Sequence, residues 1–580
     1  MTRAIRGTLV IIQNPSPALA LFLDTRRLDR RLLRTDVAIV GAGPAGIAIA
    51  RELDAAGVQT CLLESGGHVR DEATANLYRG KSTGRRYEFA DGHRSRFFGG
   101  SGNCWGGFCR PWDASAFVAR DWVAHSGWPI DAATLAPFLV RANRFVGLAH
   151  DRYDPQAWFD AVRAAGGAVR RPPLDLARLE DIVSQISPAQ PLGPRYADAL
   201  GRARHVSVLL WANVVEIATN EAGDRVERLV VRTLTGRELA IEARQVVLAA
   251  GGIENARLLL ASNRQQPGGV GNAHGLVGRF FQDHPRIIGP RIALAPEWRH
   301  APYLDIKFNC IADELAIDGQ RISGQMRLPF EVQRRERLLD AQCWLRSCYA
   351  GEGTELVRAL TRMHQRQTRA RSMTERLVPD LLALLREPVT TLRYTHAHLS
   401  GSRKAVRDVR LELIVEPEPD PDSRVTLSAE RDTLGVPRVA IDWRLTDRMK
   451  RTVDRNVELI GAELLRAGVG RVEAGPRLVD SGWPADLEGT FHHMGTTRMH
   501  DSPEHGVVDR DCRVHGVGNL SIAGSSVFTT SSSNHPTLTL VALALRLADR
   551  LVAECRRGDA PNANAAPGAP GPAPAAATGS

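Results

Sequence analysis

Three glycines, Gly41, Gly43 and Gly46, stand in the spacing G-x-G-x-x-G, and Glu64 closes the next apolar run. Missing side chains at those points let the backbone approach a pyrophosphate, and the unpaired N–H groups of a following helix N-terminus attract its charge. A carboxylate at Glu64 accepts both ribose hydroxyls of an adenosine and repels a 2′-phosphate, which favours FAD or NAD over NADP. Far downstream, GTFHHMGTTRMH sets the adjacent histidines His492 and His493 before a Gly-Thr pair, and His535 lies in NHPT. Neutral imidazole suits proton removal near pH 7. A single histidine in isolation is more often structural.

The first motif needs a strand, a tight turn, a helix and a second strand. Asp36 to Val40 is a β-branched run that ends at glycine, the segment to Ala56 has helical apolar spacing, and Thr60 to Leu63 reads as the second strand. These make a βαβ unit. Residues 111–195 mix helical patterns with prolines, 205–250 alternates as strands do and ends in QVVLAAGG, and 286–480 carries runs such as RVTLS and RVAIDW. NLSIAGSS reads as a strand meeting a turn, and PTLTLVALALRLADRL as a long helix with Pro536 in its first turn.

RFFGGSGNCWGGFCRPWD (96–113) crowds glycines and tryptophans around Asn103 and Cys104, which allows main chain to lie against a flat ring. Taken with the βαβ unit, VVLAAGGIENARLLLAS, HHMGTTRM, VVDRDCRVHGVGNLSIAGSSVF and SSSNHPTLTLVALALRLADRL, in that order, this loop makes the chain resemble the glucose-methanol-choline (GMC) family of FAD oxidoreductases. The resemblance covers most of 35–285 and 415–555. It does not reach 1–34, much of 290–410 or the tail.

The resemblance implies a Rossmann-like FAD-binding domain, discontinuous in sequence, with an inserted substrate-binding domain on a mainly antiparallel sheet with helices. The fold class is therefore α/β and α+β. The expected divisions are a partly irregular leader (1–34), FAD-binding parts at 35–110, 196–285 and 481–557, a helical connection at 111–195, the substrate-binding domain at 286–480, and an Ala/Pro/Gly tail at 558–580, compositionally disordered.

On the same likeness, His492 is the expected base of an alcohol oxidation and His535 its partner on the same oxygen; His493 is expected to point away, because adjacent residues project in different directions. His500, His505 and His515 are read as surface or packing residues. Expected FAD contacts are Gly41, Gly43, Ala45, Gly46, Glu64, Ser65, Gly100, Ser101, Asn103, Cys104, Val214 or Val215 at the adenine, Ala250, Gly524, Ser525, Pro536 and Thr537, with Asp509 nearby. The helix start near Thr537 would stabilise negative charge on reduced flavin. Where sugar-oxidising relatives have a flavin-linked histidine before the loop tryptophan, this chain has Cys104, so histidyl attachment there is impossible; a small packed thiol is preferred to a cysteinyl link.

The loop form and WVAHSGWP resemble sugar-oxidising, pyranose oxidase-like branches, so the expected substrate is a sugar, glycoside or other polyol. The electron acceptor (oxygen, quinone or protein) stays open. A lyase of the same family and a non-catalytic flavin-binding or electron-transfer subunit are the alternatives.

The totals exclude other classes. The chain has 580 residues, 43% of them apolar, and a net charge of +10. Its arginines are scattered without a nucleic-acid-binding motif, so the charge is read as a solvated surface rather than a phosphate track. Eight cysteines without metal or disulfide spacing point to reduced thiols and no metal site. No run approaches the roughly 20 apolar residues of a membrane span. The apolar N-terminal run is broken at Gln13-Asn14-Pro15 without a clean export signal, and the expected compartment is the cytoplasm.

Overall fold

The computed structural model describes residues 22–558, apart from 30, 90–92, 168, 189–190, 310, 351, 486 and most of 353–387. The Ala/Pro/Gly tail expected at 558–580 lies almost wholly outside the described residues.

The strand Leu32–Val40 forms because its second half is apolar on both faces: Val37, Ala38 and Ile39 are fully buried. Such a run belongs in the middle of a parallel sheet covered on both sides. It pairs in parallel with Thr60–Leu63 on one side and with Glu238–Leu248 on the other. The eight-stranded sheet runs 22–24, 206–210, 60–63, 32–40, 238–248, 226–232, 213–219, and Leu520–Ile522 adds in parallel to the end of 238–248. Residues from the beginning, middle and end of the chain therefore share one sheet. The dinucleotide helix Pro44–Ala55 and the C-terminal helix Thr537–Arg557 pack together in the same hydrophobic core.

The leader joins this sheet. Phe22–Asp24 pairs with Val206–Leu210, where irregular chain was expected. Two contacts hold it, Phe22 meeting Phe98 edge-on at 5.1 Å and the Arg26 guanidinium 4.1 Å over the Trp211 ring, while within the leader Asp24 accepts from Arg26. Pairing between strands distant in sequence overrode local composition.

A second, nine-stranded antiparallel sheet runs 470–472, 285–294, 406–415, 341–349, 320–327, 180–186, 108–109, with 316–317 and 488–489 pairing at its margins. It takes in Glu180–Ile186 from the expected helical connection and Phe108–Cys109 from the expected FAD-binding part, so the division at 111–195 does not follow the strand pairing. RVTLS and RVAIDW instead form a small sheet with Gly80–Ser82. Every described cysteine is a free thiol, and no described helix is long and apolar enough to cross a membrane.

Candidate active site

One cleft, enclosing about 1610 Å³ with its open mouth, runs from the end of strand 32–40 to the start of the C-terminal helix. Gly41, Gly43, Ala45, Glu64, Ser65, Gly100, Ser101, Cys104, Val214, Ala250, His492, Gly524, Ser525, His535, Pro536 and Thr537 all line it. Three expected contacts do not. Gly46 sits behind the wall, where a side chain would overlap the Gly41 carbonyl, so its role is close helix–strand packing. Asn103 braces the loop: its amide donates to the Phe98 carbonyl at 2.9 Å and its oxygen accepts from the Gly193 N–H at 2.8 Å. Val215 faces away because neighbours in a strand alternate, and Val214 takes the cleft. Asp509 also lies elsewhere, closing a turn by accepting from the Asp511 and Arg513 N–H groups.

The cleft fits a dinucleotide. Gly43, Gly251 and Gly524 each leave open space where a Cβ would stand, although their neighbours pack tightly. Gly43 is also the cap residue of its helix and offers no side chain to the first-turn N–H groups. The Glu64 carboxylate is held by the N–H groups of Ala42 at 3.1 Å and Gly66 at 3.0 Å, while burial raises its pKa. Two buried ring nitrogens of lining residues, Trp105 Nε1 and His493 Nε2, have no partner among the described residues. The C-terminal helix begins at Thr537, with Pro536 as its cap rather than its first residue, and no side chain caps it. Its first N–H groups therefore remain for a ligand.

At one end of the cleft the histidines meet. The His492 and His535 ring centroids are 5.2 Å apart at 76°. His535 stacks on Phe108 at 4.9 Å and meets Trp344 edge-on at 6.3 Å, so the second sheet supplies the wall around it. Burial pushes both imidazoles toward the neutral form: the His535 pKa falls to about 3, and His492, further opposed by His284 and His535, lies well below its usual value. His493 departs from expectation in part. It packs against Tyr87 at 5.9 Å and Phe281 at 6.3 Å, away from His535, yet it too lines the cleft.

Two residues that sequence reasoning missed hold His492. Asp283 accepts from the N–H groups of His492 at 2.8 Å and Phe491 at 3.1 Å, and from the Tyr87 hydroxyl at 2.7 Å. These bonds clamp Phe491 at φ +61, a left-handed conformation that a bulky residue adopts only when its surroundings impose it. His284 places Nδ1 2.8 Å from His492 Nδ1. The only signal for either was the adjacent acid and histidine in QDHPR. No group of three His, Cys, Asp or Glu among the described residues is arranged to hold a metal ion.

The class of protein follows from comparison. Residues 419–544 match the GMC oxidoreductase family and residues 34–83 the FAD binding domain family. The chain is thus similar to the GMC oxidoreductases over its C-terminal part and to FAD binding domains near its start, and its cofactor is FAD. It is 27% identical over 317 residues to paromamine 6′-oxidase of Streptomyces fradiae, covering 53% of this chain and 45% of that protein. It is 25% identical over 568 residues to 6‴-hydroxyparomomycin C oxidase of Streptomyces lividus, covering 88% and 90%. The match thus spans less than half of the first relative and nearly all of the second. The crystal structure of pyridoxine 4-oxidase from Mesorbium loti has the same fold, with a TM-score of 0.51 at 17% identity, over 89% of this chain and 99% of that one.

Proposed function

We propose that this protein oxidises a CH–OH group of a sugar, glycoside or other polyol. His492 takes the hydroxyl proton and His535 hydrogen-bonds the same oxygen. The observation that carries this reading is the meeting of two buried, neutral imidazoles 5.2 Å apart on the wall of the dinucleotide cleft. A neutral imidazole can accept a proton, and two of them on one oxygen fix the direction of the carbinol C–H, which is a large part of barrier lowering.

FAD, when bound, supplies the acceptor for the hydride that leaves the carbinol carbon. The uncapped helix start at Thr537 favours negative charge at its end of the cleft. Phe108, from the second sheet and backed by the buried Trp344, forms an apolar flank against which a sugar face can lie. Likeness to oxidases of paromamine and 6‴-hydroxyparomomycin C supports a glycoside-class substrate. On this reading residues 286–480 contribute the substrate-binding lobe, together with the strands at 108–109 and 180–186.

The test is an anaerobic spectral screen of the yellow protein with D-glucose, D-fructose, methyl glucoside, paromamine and simple alcohols. A carbohydrate should bleach the flavin absorbance, and admitted air reports whether oxygen restores it. A yellow, folded protein that none of these bleaches would overturn the assignment.

A further inference from the structure

A carbonyl oxygen can only accept a hydrogen bond. The Ser532 carbonyl lies 2.7 Å from His284 Nε2, so that nitrogen carries the hydrogen. Burial holds the His284 pKa at about 4, and the ring is neutral near pH 7. A neutral imidazole has one N–H, which leaves His284 Nδ1 with a lone pair. Its contact with His492 Nδ1 at 2.8 Å then needs the hydrogen to come from His492.

Thr490 is compatible with this direction. Its hydroxyl reaches Asp283 Oδ1 at 3.3 Å, to which it can donate, and its oxygen lies 2.9 Å from the same His492 nitrogen. A hydroxyl alone is permissive, because it can donate or accept. The carbonyl behind His284 is not. Its position is held in turn by Asp340, whose Oδ2 accepts from the Ser532 hydroxyl, the Ser533 hydroxyl and the Ser533 N–H, each at 2.8 Å.

We infer that His284 is a positioning residue: by accepting from His492 Nδ1–H it holds His492 in the tautomer whose bare Nε2 is available to the cleft. This rests on the reading of His492 as the base, and it names what makes that base competent. The opposite tautomer would present an N–H to the substrate hydroxyl and could take no proton from it. In the serine-protease triad, loss of the group that fixes a histidine tautomer costs about 10⁴ in kcat.

The test needs no substrate. In FAD-loaded protein labelled with ¹⁵N-histidine, the His492 resonances are assigned by their loss in His492→Gln. The expected pattern is a protonated Nδ1 and an unprotonated Nε2, and the reverse pattern overturns the inference. In His284→Leu the unprotonated Nε2 signal should be lost in whole or part, while Thr490→Val should keep it. A single wild-type tautomer in folded His284→Leu overturns the inference. Should His284→Leu fail to fold, His284→Asn serves instead, since its Oδ1 stands near the original Nδ1: retention of the wild-type tautomer supports the proposal and a switch refutes it. Failure of His492 as a base would appear separately, as undiminished flavin bleaching by D-glucose or D-fructose in His492→Gln, whatever its tautomer.

Discussion

The His492 and His535 rings stand 5.2 Å apart at 76°, one carried by a loop clamped to Asp283 and the other by the residue just before the C-terminal helix cap. They reach the same end of the cleft because the strand Leu520–Ile522 returns the chain to the sheet that also holds Leu32–Val40.

Removing either imidazole should slow the chemical step while leaving the flavin bound. His492→Ala is expected to lower the anaerobic rate of flavin reduction about 10²- to 10⁴-fold, as befits a lost general base. His535→Ala should cost less, and the double variant should lose less than the product of the single losses, since on the proposed reading both rings act on one oxygen. Stopped-flow reduction by whichever carbohydrate bleaches the wild type gives all four rates.

Two glycines in one motif should fail in different ways. Gly46→Ala drives a methyl group into the Gly41 carbonyl, so thermal stability should fall even without cofactor. Gly43→Ala meets no protein atom within 4 Å and keeps an ordinary φ of −83, so the apoprotein should unfold near the wild-type temperature. Its methyl group occupies ligand space instead, and bound FAD per chain should drop sharply. Flavin absorbance and a melting curve separate the two.

Asp283→Asn replaces one accepting oxygen by an N–H donor in a place where four donors converge. Leaving a buried donor unpaired costs about 1–3 kcal/mol, and Phe491 would be freed from its left-handed conformation. Lower melting temperature together with a slower flavin reduction is the expected result. Unchanged values in both would remove Asp283 from the account.

Acid should weaken the fold through the histidines. Burial pushes the ring pKa values of His284 and His535 down to about 4 and about 3. The unfolded chain takes up those protons near 6.5, so the stability these neutral rings contribute is complete above that pH and declines as the pH falls toward 4 and then 3. Melting temperatures recorded from neutral pH to about pH 5 should fall, and His535→Asn should flatten the decline.

The cofactor half of this protein was legible because its signals are local. Gly41, Gly43, Gly46 and Glu64 occupy consecutive elements of one βαβ unit, where neighbours in sequence are neighbours in space. Val37–Val40, apolar without alternation, likewise announces a covered parallel strand. The second sheet was legible only as a class, since Phe108–Cys109 and Glu180–Ile186 join it through pairings of long range. Asn103 was read as a contact and proved a brace, because loop residues reveal their direction only once the loop is folded.

Residue types and their order were enough to determine the cofactor class, the βαβ frame and the two histidines worth watching. Tertiary structure alone decided what surrounds them: Asp283 on the backbone, His284 on the ring, and Ser532 behind His284. Hydrogen bonds are directional and short, so the polarity of that chain of contacts exists only where distant segments are brought within about 3 Å of one another.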